Sequence, residues 1–151
     1  MTATSHRVQF YEASCRHCRR TFSIPLPGDQ SYGQFIFHGE KGGAFGLLSA
    51  FEEPAWEDIE MRLRRAGMYT THSRADIDRF QRVVAASADP ISGQTLVLLP
   101  VCAGCRSQPV EYGDSMPLDI REIPGVTFRG YQLLSDQNRT ERIRQLWEIC
   151  A

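Results

Sequence analysis

The sequence predicts an α+β fold in one domain of 151 residues, built from a small antiparallel sheet, a helix pair inserted into it and a helix near the C-terminal end. Three observations predict it. Two short cysteine pairs, Cys15-Arg-His-Cys18 and Cys102-Ala-Gly-Cys105, each stand among β-prone residues. Between them, Trp56, Ile59, Leu63 and Ala66, and then Ile77, Phe80, Val84 and Ala88, recur at three- and four-residue steps, the spacing of one helix face. Ile143, Leu146, Trp147 and Cys150 repeat that spacing in residues 138–150.

Taken in order, Val8-Gln-Phe-Tyr is β-prone and leads into the first cysteine pair, after which Thr21-Phe-Ser-Ile resumes extended character. Pro25-Leu-Pro-Gly-Asp breaks the chain, Tyr32 to His38 is the next strand, and Gly39 to Gly43 form a turn. Ala44 to Phe51 is apolar enough for a buried strand or a short helix, and periodicity does not separate the two at that length. A helix starts at Pro54, where a first-turn proline is tolerated, and stops at Gly67. Acids fill its first half and arginines its second, which suits the helix dipole and offers the pairs Asp58 with Arg62 and Glu60 with Arg64. Ser73 caps a second helix from Arg74 to Ala88. Gln94 to Leu99 is an apolar strand that delivers the second cysteine pair. Gln108 to Gly125 is read as loops and short strands, Val126 to Leu134 as extended, and Asn138 to Cys150 as the last helix.

Composition narrows the class. At 42% hydrophobic and 23% charged residues, the chain has the balance of a globular protein with a core of its own. No apolar run approaches the roughly 18 residues that cross a bilayer, and the N-terminal residues lack a hydrophobic signal core, so a soluble, cytoplasmic protein with no membrane partner is expected. Five cysteines is an odd number, which disfavours a disulfide framework. Sixteen arginines stand against a single lysine, Lys41, the mark of a GC-rich, bacterial genome. A net charge of −1 gives no global attraction to nucleic acid or anionic lipid.

The cysteines carry the chemistry. A two-residue spacer lets each pair aim both sulfurs at one point, and four thiolates complete the tetrahedral shell of Zn²⁺ without water. Cys15, Cys18, Cys102 and Cys105 are the candidate ligands of a structural zinc site. With Tyr11 leading in and Phe22 following, the two turns resemble the knuckles of zinc-ribbon or rubredoxin-like modules, over residues 8–24 and 96–112. The resemblance implies a knuckle pair split by an inserted α/β segment, residues 25–95, with the ion pinning the two ends together. The same thiolates also suit a rubredoxin-type iron, which ligand identity does not separate from zinc. A dithiol redox role fits less well, since neither pair opens a helix.

A competing pattern is enzymatic. His38-Gly-Glu40 with Cys102 and Cys105 follows the zinc-deaminase order of a His ligand, a Glu acid/base and a cysteine pair. It leaves Cys15 and Cys18 unexplained, its proline stands one residue early, and Pro109 interrupts the helix the second pair should begin. His17 is expected to point away from the ion and Cys150 to be a core residue. Arg16, Arg19, Arg20 and Arg106 flank the cysteines, where they offset the formal charge of a tetrathiolate or, alternatively, contact phosphate. No catalytic constellation stands out. The sequence is read as a zinc-stabilised adaptor that binds another protein, with nucleic-acid binding through those arginines as one alternative and a deaminase-like hydrolase as the other.

Overall fold

A computed structural model describes residues 4–26, 32–107, 110–113 and 116–151. Its elements in order are β1 (Ser5–Cys15), β2 (Thr21–Leu26), β3 (Gln34–Gly39), β4 (Phe45–Ser49), α1 (Pro54–Arg65), α2 (Arg74–Ser87), β5 (Leu96–Val97), β6 (Val110–Tyr112), β7 (Asp119–Pro124), α3 (Arg129–Leu133) and α4 (Asp136–Ile149). The α+β expectation holds, with the helix pair inserted between the cysteine turns and a helix near the C-terminal end. The antiparallel strands form two sheets, and β1 is the spine of the first. It pairs with β2 along one edge and, along the other, with β7 at its start and β6 at its end. The second sheet has the order β4-β3-β5.

The second sheet is the middle layer, and alternation along its strands shows why. Ile36 and Leu47 point to the first sheet and meet Val8, Phe10 and Ile123, while Phe37 and Leu48 point to the helices. A sheet covered on both faces needs apolar residues at successive positions, which is the origin of the run Phe45 to Leu48. That run is a strand. On the helix side, Ile59, Leu63, Phe80, Val83, Val84 and Ile143 are buried beneath stacked Phe35 and Trp56, whose ring centroids lie 5.1 Å apart.

The helices form where local chemistry marks them. Glu53 accepts from the Ala55 amide ahead of Pro54, Ser73 accepts from the Asp76 amide, and Gly67 takes φ +72° just beyond α1. Both expected ion pairs of α1 are present, Asp58 with Arg62 at 3.0 Å and Glu60 with Arg64 at 3.8 Å. The first reaches further, since Asp58 also accepts from the Tyr131 hydroxyl at 2.6 Å and Arg62 donates to the Asp136 carbonyl at 2.9 Å. These bonds tie α1 to α3 and α4.

Several expectations are corrected. The chain does not break at Pro25, because Pro25 and Leu26 complete β2, an edge strand on which a missing amide is tolerated; residues 27–29 lie outside the described residues, as do residues 108–109. The strand expected over Gln94 to Leu99 is only Leu96–Val97, since the chain leaves β3 to deliver Cys102. Val126 to Leu134 is not extended throughout. Val126 still donates to the Leu47 carbonyl, but α3 follows, its first turn capped by Asp89 from far along the chain. Asp89 accepts from the Thr127 hydroxyl at 2.6 Å and from the Arg129 and Gly130 amides at 2.8 and 2.9 Å. Although partial burial opposes ionisation, these donors hold its carboxyl below the usual range.

Candidate metal centre

β1 and β2 are joined by the first cysteine turn, while the second follows β5 at the end of the middle sheet. The two turns are built alike. The Arg19 amide donates to the Cys15 carbonyl at 3.0 Å and the Cys15 amide to the Arg20 carbonyl at 2.9 Å. In the second turn the Arg106 amide donates to the Cys102 carbonyl at 2.7 Å and the Cys102 amide to the Ser107 carbonyl at 3.0 Å. In each, the residue after the second cysteine is left-handed, Arg19 at φ +66° and Arg106 at φ +62°. Glycine adopts that region freely, whereas another L-residue there costs roughly 1–2 kcal/mol.

These turns bring the four cysteines together although residues 19–101 separate the pairs. All four Sγ atoms lie within 4.8 Å of one another. Cys15 Sγ is 3.4 Å from Cys105 Sγ, and Cys18 Sγ is 3.6 Å from Cys102 Sγ. A tetrahedron with metal–sulfur bonds of ~2.3 Å has edges of about 3.8 Å, so the sulfurs already span the volume that a four-thiolate site needs. Cys15 and Cys102 are buried, and Cys18 and Cys105 are partly exposed. Such a cluster is compatible with binding a metal ion.

Backbone amides aim at the sulfurs as they would at thiolates. The His17 amide donates to Cys15 Sγ at 3.4 Å, the Arg20 amide to Cys18, the Cys105 and Gly104 amides to Cys102, and the Ser107 hydroxyl and amide to Cys105. Ser107 holds the Cys105 thiol down at about 6. Cys102 is held below its ordinary value by its two amides, although burial opposes ionisation. Cys18 accepts from Arg20, which favours the thiolate, yet burial and the other three sulfurs push it up to about 11. Four negative charges do not share this volume without a cation. Sequence reasoning missed Ser107; the signal for it was its place two residues after Cys105, matching that of Arg20 after Cys18.

The remaining candidates sort clearly. His17 is exposed and contributes its amide. Neither His38 nor Glu40 belongs to the group of sulfurs. His38 is 5% exposed on the face of β3 that meets the first sheet, edge-on to Phe45 with centroids 5.7 Å apart, and its Nδ1 has no hydrogen-bond partner among the described residues. Burial pulls its pKa down to about 4, so the ring is neutral at pH 7. Cys150 packs against the helical core. Arg16 pairs with Glu111 at 2.8 Å, and Arg20 lies across the second turn, its side chain over Gly104. Among the described residues, no helix is long and apolar enough to cross a membrane. No family model, curated protein or solved structure matches this chain.

Proposed function

We propose that Cys15, Cys18, Cys102 and Cys105 hold a structural zinc ion, and that the chain is a non-catalytic binding module that acts as an adaptor for another protein. The observation that carries this is the meeting of two like turns, their four sulfurs at tetrahedral spacing and their amides aimed at them. A shell of four thiolates leaves no position for water or substrate, which favours a staple over a reaction centre. The staple has work to do. A cross-link across a loop of this length removes about 4–5 kcal/mol of unfolded-state freedom by the chain-entropy argument. The sulfur set also speaks against the deaminase alternative, which requires His38 as a ligand.

Contact with a protein is supported by an exposed aromatic pair. Tyr32 is 90% exposed and Phe51 is 75% exposed, with ring centroids 5.4 Å apart, and solvated rings of this kind anchor protein interfaces. Elemental analysis of purified protein is expected to give one zinc per chain, and iron in its place would revise the metal. Cys15→Ser and Cys102→Ser should each lose the metal and the cooperative thermal transition. Retention of both by Cys15→Ser would overturn the shared site. Replacing Phe51 by Ser should remove a specific partner from affinity capture while leaving zinc content unchanged; an unchanged partner set would count against this surface.

A further inference from the structure

The first cysteine turn is held by a ladder, since it joins β1 to β2 and these strands pair from Ser14 with Thr21 to Gln9 with Leu26. The second has no ladder leading into it. Among the described residues, β5 ends at Val97 and residues 98–101 belong to no strand. Another contact must fix where Cys102 stands, and the turn between β3 and β4 supplies it. Gly42 of that turn packs backbone to backbone on the second cysteine turn. A Cβ on Gly42 would stand 2.6 Å from Ala103 Cα and 2.9 Å from the Val101 carbonyl oxygen, so the contact brackets Cys102 and leaves no room for a side chain.

The β3–β4 turn is itself held on two sides. From within, the Gly39 amide donates to the Ala44 carbonyl at 2.8 Å and the Gly42 amide to the Gly39 carbonyl at 2.9 Å. From outside, one side chain grips it twice: Gln94 Oε1 accepts from the Lys41 amide at 2.8 Å, and Gln94 Nε2 donates to the Gly42 carbonyl at 3.0 Å. Gln94 is placed for this by its backbone, whose amide and carbonyl exchange hydrogen bonds with those of Ile91 at 3.0 and 3.1 Å. Fixed contacts thus run from Ile91 and Gln94 through the β3–β4 turn to Val101 and Ala103. We infer that Gln94 and Gly42 are positioning residues of the metal centre: Gln94 holds the turn on which the backbone around Cys102 rests, and so sets the second pair of sulfurs against the first. The inference rests on the proposed metal site and names the part of the inserted segment on which that site depends.

A residue that only stabilised the fold would also lower metal affinity. The readout is therefore the rate at which the loaded, folded chain gives up its metal to excess chelator, together with the visible d–d absorption of the Co²⁺-loaded protein. Gly42→Ala and Gly43→Ala carry equivalent backbone strain, because the two glycines have φ +81° and +79°, but a Cβ on Gly43 meets nothing within 4 Å. Gln94→Ala removes both bonds to the turn and introduces no clash. Asp89→Ala weakens the fold elsewhere, at the start of α3. Groups that orient metal ligands are worth about 10–100-fold in metal affinity, so Gly42→Ala and Gln94→Ala should release metal at least about tenfold faster than the parent, with the Co²⁺ bands displaced. Gly43→Ala and Asp89→Ala should stay within about threefold of the parent, with an unchanged spectrum.

Equal release from Gly42→Ala and Gly43→Ala overturns the inference. So does release from Asp89→Ala as fast as from Gln94→Ala, which would reduce Gln94 to a contributor to overall stability. Gln94→Ala decides the matter if Gly42→Ala does not fold. Both of those outcomes leave the metal centre standing, whereas parent protein that takes up neither Zn²⁺ nor Co²⁺ overturns the metal centre and this inference with it.

Discussion

Acid should weaken this fold in part through His38. An unfolded chain carries this imidazole with a pKa near 6.5, whereas burial between the sheets lowers it to about 4 in the folded protein. Above pH 6.5 both states hold the neutral ring and nothing is lost. As pH falls below 6.5, the unfolded chain takes up a proton that the folded chain refuses until about 4, so stability drops across that window and levels off below it. Linkage between the two values gives a loss of about 2.5 kcal/mol at pH 4.5 relative to pH 7.5, approaching roughly 3.4 kcal/mol at lower pH. Other groups also titrate there, the cysteines among them, so the measured quantity is the difference between the parent and His38→Leu. Urea unfolding of both, from pH 7.5 to 4.5, should show the variant gaining on the parent by that amount as the pH falls. Parallel curves, or a His38 ring that titrates near 6.5 by NMR in the folded protein, would refute the reasoning.

Two further substitutions probe how the layers are joined. Asp89→Ala removes three hydrogen bonds from the start of α3 and should cost about 1–2 kcal/mol in urea unfolding, with hydrogen exchange rising first in residues 127–133; a change confined to α2 would count against the capping role. Gly46→Ala should be more damaging than its single methyl suggests, since a Cβ there would stand 2.6 Å from Ile91 Cδ1 and 2.8 Å from Val126 Cγ2. A loss of about 1–3 kcal/mol is expected from such overpacking, and a neutral or stabilising result would show that Ile91 and Val126 yield without cost.

What was legible in the sequence was what neighbouring residues decide. The starts of α1 and α2 were fixed by Pro54 and Ser73, their buried faces by the three- and four-residue spacing, and the ends of the strands around Cys15 and Cys18 by the turn that two cysteines so close together must make. The two cysteine turns were legible for the same reason, because each is a local object. Ala44 to Phe51 was ambiguous because a strand covered on both faces loses the alternation that would identify it. Residues 129–133 were missed because their helix has no cap of its own and takes one from Asp89.

By itself, then, the sequence determined α1, α2 and α4, the two cysteine turns and the α+β class, all of which follow from interactions over a few residues. Only the tertiary structure decided that β6 and β7 share one edge of β1, that His38 is sealed between two sheets, and that the sulfurs of two distant turns meet within 4.8 Å. Those outcomes depend on how layers pack. Nothing in the local sequence specifies which surfaces cover one another, since that choice is made by burying the apolar faces of both sheets and the helices at once.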